Sequence, residues 1–295
     1  GGIIDEDALY EAIVSGRVAG AAIDVFEHEP MVSSPLFELD NVIVTPHLGA
    51  STVEAQVSVA VEVAQDIVRS FRGEVIRNAV NIPSISPELR LIIQPYLLLV
   101  EKMGAFLAQL VCGHIESVEL KYNGEFARYD LTPLTNAFLK GLLSYVLEEP
   151  VNYVNAPIQA QLRGIKVYDS RSPEMEDYTN LVTATVRTDK GEKSVSGALF
   201  RRNEPRIVRI DGYTIDAVPE GHMLVIPHID KPRIIGPVGN LIGAHDVNIA
   251  GMQVGRKVIG GRAVMVLNID APVPEETLKE MAKIDGVLDV KYVHL

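Results

Sequence analysis

The chain has 295 residues, 47% hydrophobic and 22% charged, with 27 Lys and Arg against 39 Asp and Glu, giving a net charge of −12 and a pI near 5.1. That length allows two or three domains with well-filled cores. The acidic balance argues against nucleic acid and anionic membranes as partners, since both select basic surfaces, and a single cysteine, Cys112, excludes an intrachain disulfide.

Asp5, Glu6 and Asp7 crowd a predicted helix N-terminus, where negative charge suits the helix dipole, and Gly16 closes that helix. Val18 to Val25 is a nearly unbroken apolar run, the pattern of a parallel strand buried on both faces. Asp24 and Glu29 fall at and just beyond its C-terminal end, where open α/β sheets place ligands. Asn41 to Val44 reads as a second buried strand, with His47 on the loop after it. Ser51 and Glu54 form an S-x-x-E capping box that opens a helix running from Thr52 to about Phe71. Val53, Val57, Val61 and Val68 mark its apolar stripe. A histidine takes up a proton near neutral pH. A carboxylate on its other nitrogen fixes the tautomer and stabilises the imidazolium, and Glu29 is the candidate for that role. By pattern alone, a capping histidine and a solvated glutamate before proline are the commoner fates of such residues.

Asn78 to Pro83 marks the exit from this first region, and Ser84 to Glu88 a short linker. Leu89 to Leu110, Leu134 to Leu147 and Ala156 to Arg163 predict helices. Ser117 to Tyr122, Leu181 to Arg187, Lys193 to Leu199 and Arg206 to Ile210 predict half-buried strands. Together they make an α+β domain over 84–219. The apolar stretch Leu97 to Cys112 is broken by Glu101, Lys102 and Gln109, so it is not read as a membrane span, and Cys112 is read as a buried, inert thiol. Arg171, Arg201, Arg202, Arg206 and Arg209 are read as solvated charge at sheet edges rather than an anion site. No Cys/His cluster has metal-ligand spacing, so no metal is expected. Over 220–295 the pattern is strand (His222 to His228), helix (Ile234 to Ala244), two strands (Val247 to Val254, Arg262 to Ile269), helix near Pro274 and strand (Val287 to Val293). That βαββαβ order is the split ferredoxin-like unit.

Gly1-Gly2-Ile3-Ile4-Asp5-Glu6, the segment Asp24 to Pro30, and Thr45 to Gln56 together resemble the closing part of the nucleotide-binding domain of D-2-hydroxyacid dehydrogenases, in that family's order. Val151 to Pro157 with Arg163-Gly164-Ile165 is similar to the intervening domain of its long, phosphoglycerate-oxidising members. His228-Ile229-Asp230 with Val247 to Arg256 looks like an ACT domain, an amino-acid-sensing module.

The resemblance implies an α/β and α+β multidomain chain: a C-terminal piece of a Rossmann-like NAD-binding unit (1–83), an intervening domain (84–219) and an ACT domain (220–295). It implies NAD as cofactor, 3-phosphoglycerate as substrate, His47 as the proton acceptor and Glu29 as its partner. Asp24 would meet the nicotinamide carboxamide, with Leu48, Gly49 and Ala50 lining the cofactor beside His47. L-serine as an effector would fall to His228, Asp230 and Asn248, read as lying at one end of adjacent strands. Arg233 stands where the family's loop has glycine, and its charge is expected to compete for Asp230. The family's substrate arginine would lie one position before Gly1, and no G-x-G-x-x-G follows a strand. The chain is therefore expected to be the inactive C-terminal portion of a cytoplasmic homo-oligomeric dehydrogenase. The rival class is a non-catalytic amino-acid-binding and oligomerisation fragment. In either case, pairing of ACT units is expected to cover an open sheet edge and an apolar face.

Overall fold

The computed structural model describes residues 1–72, 79–80, 87–175, 177–201 and 203–295, which divide into one unit over Gly1–Val80 and another over Asn81–Leu295. The expected exit and linker, Asn78 to Pro83 and Ser84 to Glu88, fall largely outside the described residues.

In the first unit, α1 (Glu6–Val14) starts where the Asp5 carboxylate accepts the Ala8 N–H at 2.9 Å. It stops before Gly16, whose φ of +72° suits a residue without Cβ. β1 (Ala21–Ile23) and β2 (Val42–Val44) run parallel, with Ala21 opposite Val42. The first strand is shorter than its apolar run because only three residues find a partner. Ile13, Ile23, Phe26 and Leu36 are buried. α2 (Val53–Phe71) is the expected long helix, but its cap is Thr52, whose hydroxyl accepts the Ala55 N–H at 3.2 Å. The Ser51 N–H instead closes the preceding loop onto the Leu48 carbonyl, so the cap moves one residue on and, with alanine at position 55, is a single hydroxyl cap rather than the expected capping box. The apolar stripe Val53, Val57, Val61 and Val68 is present and exposed.

The second unit holds two domains on a shared core. The intervening domain comprises α3 (Pro87–Leu110), β3 (Ile115–Gly124), α4 (Thr132–Val146) and α5 (Ala156–Leu162). It continues with β4 (Lys166–Ser172), β5 (Asn180–Thr188), β6 (Gly191–Phe200), β7 (Glu204–Ile210) and β8 (Tyr213–Ala217). The strands form one sheet in the order β4-β3-β5-β6-β7-β8, antiparallel except for the parallel pair β3/β4. α3 and α4 pack at glycines. A Cβ on Gly104 would come within 2.2 Å of the Phe138 carbonyl oxygen, and one on Gly141 within 1.9 Å of that of Glu101. By length and composition Leu91–Leu110 could cross a membrane. In this fold its Ile93, Leu99, Val100, Met103, Phe106 and Leu107 are fully buried in protein.

Two expectations about this domain change. Cys112 is exposed rather than buried, because α3 ends at Leu110 and the thiol turns out toward the Lys291 ammonium, 3.7 Å away. Arg171 lies on the edge strand β4, but Arg206 and Arg209 are half-buried on β7, between β6 and β8, and so are not edge charge. Arg171 pairs with Asp130 and Asp169, Arg206 with Glu204 and Asp216, and Arg209 with Asp177, while Arg202 lies outside the described residues.

The ACT domain runs β9 (His222–Ile229), α6 (Ile235–Gly243), β10 (Ile249–Arg256), β11 (Arg262–Ile269), α7 (Glu275–Met281), β12 (Lys291–His294). Its antiparallel sheet has the order β10-β11-β9-β12. The last strand is shorter than expected, and Val287 contributes only an isolated bridge to His228. Leu224, Ile226, Met265 and Leu267 face α6 and α7. The opposite face, with Met223, Val225, Val264, Val266 and Val293, joins the core of the intervening domain. This corrects one expectation: that apolar face is covered by the chain's own intervening domain, while β10 and β12 are the outer strands of the sheet.

Candidate active site

Because β1 and β2 are parallel, the loops that follow them leave from the same end of the sheet and can meet. Asp24 and Glu29 come from the first loop, His47 from the second. The Thr45 N–H bonds the Ile23 carbonyl at 3.0 Å and the His47 N–H bonds the Asp24 carbonyl at 2.9 Å, so the loops stay in register past the strands. His47 sits at φ +58°, a left-handed conformation that costs a residue with a Cβ about 1–2 kcal/mol. Backbone strain of this kind clusters at functional sites.

Nδ1 of His47 lies 2.8 Å from Glu29 Oε2, and Glu29 Oε1 accepts the Phe26 N–H at 3.2 Å. The hydrogen bond from His47, followed by that from Phe26, holds the Glu29 carboxyl below the ordinary glutamate range. An ionised Glu29 accepts, so the proton sits on His47 Nδ1 and Nε2 carries the lone pair. The imidazole is 59% exposed, which leaves Nε2 accessible. It borders a cleft of about 500 Å³ lined by Phe26, Met31, Phe37 and Val44.

Asp24 holds the next part of the loop. Its Oδ1 accepts the Thr45 hydroxyl at 2.5 Å and the Leu48 N–H at 2.6 Å, and its Oδ2 the Gly49 N–H at 2.8 Å. Those bonds, led by Thr45, lower its pKa below the ordinary 3.8. Three of its roughly four lone-pair directions are used, so one remains for an amide donor. A Cβ on Gly49 would stand 3.1 Å from Oδ2, so glycine lets the loop close onto the carboxylate. Ala50 is exposed on the same loop. This remaining acceptor fits the amide N–H₂ of a nicotinamide, while the 295 residues hold no glycine-rich loop for its pyrophosphate. Sequence reasoning missed Thr45, although a hydroxyl two residues before His47 was a usable signal.

The three ACT positions do not come together within one chain. His228 is buried, with Nδ1 3.0 Å from the Ile226 carbonyl oxygen. Asp230 is bound by Arg256 at 2.9 Å and the Gly260 N–H at 3.3 Å, and its pKa is lowered, chiefly by Arg256. Asn248 donates to Asp270 at 3.0 Å. Ile249 pairs with Ile269 and Arg256 with Ala263, so Asn248 stands at the opposite end of the sheet from Asp230. At roughly 3.3 Å per residue the separation is about 20 Å. The expectation that these residues share one end of adjacent strands is therefore corrected, because the helix between β9 and β10 returns the chain to the far end. Arg256, rather than Arg233, occupies Asp230. Arg233 is exposed and left-handed at φ +67°.

Three family models match in order along the chain. Residues 1–49 match the D-isomer specific 2-hydroxyacid dehydrogenase NAD-binding domain, 92–211 the D-3-phosphoglycerate dehydrogenase intervening domain, and 222–286 the ACT domain. Over its full length the chain is 46% identical to the D-3-phosphoglycerate dehydrogenase of Methanocaldococcus jannaschii, covering 56% of that protein. It is 45% identical to the enzyme of Synechocystis sp., covering 53%, and 38% identical to that of Bacillus subtilis, covering 56%. The chain thus spans about half the length of the curated relatives it matches.

Proposed function

Because this chain belongs to the D-2-hydroxyacid dehydrogenase family, in the form that carries a phosphoglycerate dehydrogenase intervening domain and an ACT domain, we propose that it serves NAD-dependent oxidation of 3-phospho-D-glycerate to 3-phosphohydroxypyruvate, the step that leads into L-serine synthesis. The observation that carries this reading is the His47–Glu29 pair at 2.8 Å. With Nδ1 committed to Glu29, Nε2 accepts the proton of the substrate's C2 hydroxyl. Glu29 stabilises the imidazolium that results, without itself taking the proton. In the reverse direction the same nitrogen returns the proton. Asp24, Leu48 and Gly49 would hold the amide end of NAD, which when bound supplies the hydride acceptor. The residues that grip the substrate phosphate and the cofactor pyrophosphate are not identified among these 295. We expect the chain alone to show neither turnover nor NAD binding. Extended to the relatives' full length, it should reduce NAD with 3-phosphoglycerate and far more slowly with unphosphorylated 2-hydroxy acids. Equal rates with lactate or glycerate would refute the substrate assignment, and NAD turnover by the 295 residues alone would refute the expected inactivity.

The ACT domain would assemble an amino-acid site from two copies, His228 and Asp230 from one and Asn248 from the other. What supports this is their placement at opposite ends of one sheet together with the position of β10 as an outer strand of that sheet. L-serine is the proposed effector, and its ammonium would have to displace Arg256 from Asp230. Calorimetry with L-serine against Asn248→Ala and Arg256→Ala decides it. The reading requires binding that Asn248→Ala weakens; serine affinity indifferent to both changes would place the effector elsewhere.

A further inference from the structure

A cleft of about 290 Å³ opens where β6, β7 and β8 of the intervening domain meet β9, β11 and β12 of the ACT domain. Its floor is hydrocarbon, from Leu110, Ile210, Val225 and Val264. Five charged side chains line it, and four of them cancel in pairs. Lys193 stands 2.6 Å from Asp211, and Lys291 stands 3.6 Å from Asp289. The fifth, Arg262, has no ion pair or side-chain hydrogen bond among the described residues, although the protein carries a net charge of −12.

The two walls are fixed to each other. The Lys257 ammonium stands 4.8 Å over the Tyr213 ring and 3.5 Å from the Asp211 carbonyl oxygen. A Cβ on Gly255 would come within 2.5 Å of the Thr214 carbonyl oxygen, so β10 and β8 touch backbone to backbone. The cleft is therefore a built cavity at the seam between two domains, just below the roughly 300–1,000 Å³ typical of ligand sites and so sized for a small molecule. An uncommitted guanidinium grips a carboxylate through two parallel hydrogen bonds. The floor rewards buried hydrocarbon at about 25 cal/mol per Å². A bare phosphate would satisfy the arginine and leave that floor wet.

We propose that this cleft binds a small aliphatic carboxylate, its head on Arg262 and its chain on the apolar floor, and that occupancy braces the ACT domain against the intervening domain. The site shares no residue with the His47 loop or with His228, Asp230 and Asn248, so it stands or falls independently of the dehydrogenase reading. The test is calorimetry on the full chain with sodium hexanoate, sodium acetate and sodium phosphate, in the native sequence and in Arg262→Gln, whose exposed side chain leaves the core untouched. Hexanoate should bind one per chain, at least tenfold tighter than acetate or phosphate, and at least tenfold weaker in Arg262→Gln. Hexanoate should also raise the melting temperature of the native chain and not of the variant. Absence of hexanoate binding, an affinity unchanged in Arg262→Gln, or phosphate binding as tightly as hexanoate would each overturn the proposal.

Discussion

Glu29 determines which nitrogen of His47 is the base. Its carboxyl is held below the ordinary range by the bonds from His47 and Phe26, so it contributes its full effect above the ordinary glutamate value and loses it only as pH falls through the lowered one. In mild acid Glu29 is therefore still ionised and still accepts from His47. Glu29→Gln removes the charge that stabilises the imidazolium formed in the reaction, so kcat should fall at least roughly tenfold. An unchanged kcat would show that the carboxylate is not coupled to the base. Asp24 acts through geometry. Asp24→Asn places an amide N–H₂ where Leu48 and Gly49 donate, so the loop should relax and kcat/KM fall roughly tenfold to a hundredfold with little change in melting temperature. Thr45→Val should reproduce part of that loss, and wild-type kinetics in both variants would remove Asp24 from the site's support. In the ACT loop, Arg233 holds a left-handed backbone that glycine adopts freely. Arg233→Gly should therefore raise the unfolding free energy by up to about 1 kcal/mol in urea denaturation. That His47 and Glu29 meet was expected from the family motifs they resemble, whereas pattern alone favoured a capping histidine and a solvated glutamate. Thr45 and Arg256 were not foreseen, because a hydrogen-bond partner depends on which loops the fold brings together. Cys112 was misread because an apolar sequence neighbourhood does not reveal that the helix ends two residues earlier.

At the scale of elements, the seven α-helices among the described residues were located by apolar periodicity together with end signals such as Gly16 and Pro274, whereas the short 3-10 turns Pro35–Glu38 and Glu125–Arg128 carry no such pattern. β4 and β8 were missed for a physical reason. Both are edge strands of the six-stranded sheet, and every described side chain of β4 from Lys166 to Arg171 is exposed, so no alternation marks it. β12 was placed but overextended, because Val287 to Val290 is apolar enough for a strand and pairs only through one bridge. β10 is an outer strand of the ACT sheet, meeting β8 at Gly255 and with Met252 and Val254 exposed along it. Unpaired edges invite another strand, and we expect two copies to meet there. Met252→Lys with Val254→Lys should lower the mass measured by light scattering, since lysines on an edge discourage pairing. An unchanged mass would place the subunit contact elsewhere.

At the scale of the whole molecule, the domain order was legible from three separate sequence patterns, but the shared core of the second unit was not. No local pattern says that Val225 and Val264 of the ACT sheet complete the core around Phe106 and Leu107 of α3. The intervening and ACT domains should therefore unfold in one cooperative transition. Truncation after residue 221 should destabilise the intervening domain rather than merely lower its oligomeric state; calorimetry showing an unaltered transition in the truncated chain would contradict this. The central claim remains the chemistry at His47, and the most direct test is the steady-state rate of NAD reduction by 3-phosphoglycerate in the full-length polypeptide, native against His47→Ala. Loss of a general base should lower kcat at least about a hundredfold with the fold intact by circular dichroism, whereas a variant that keeps kcat within a few-fold of the native value would contradict the assignment of His47 as the proton acceptor.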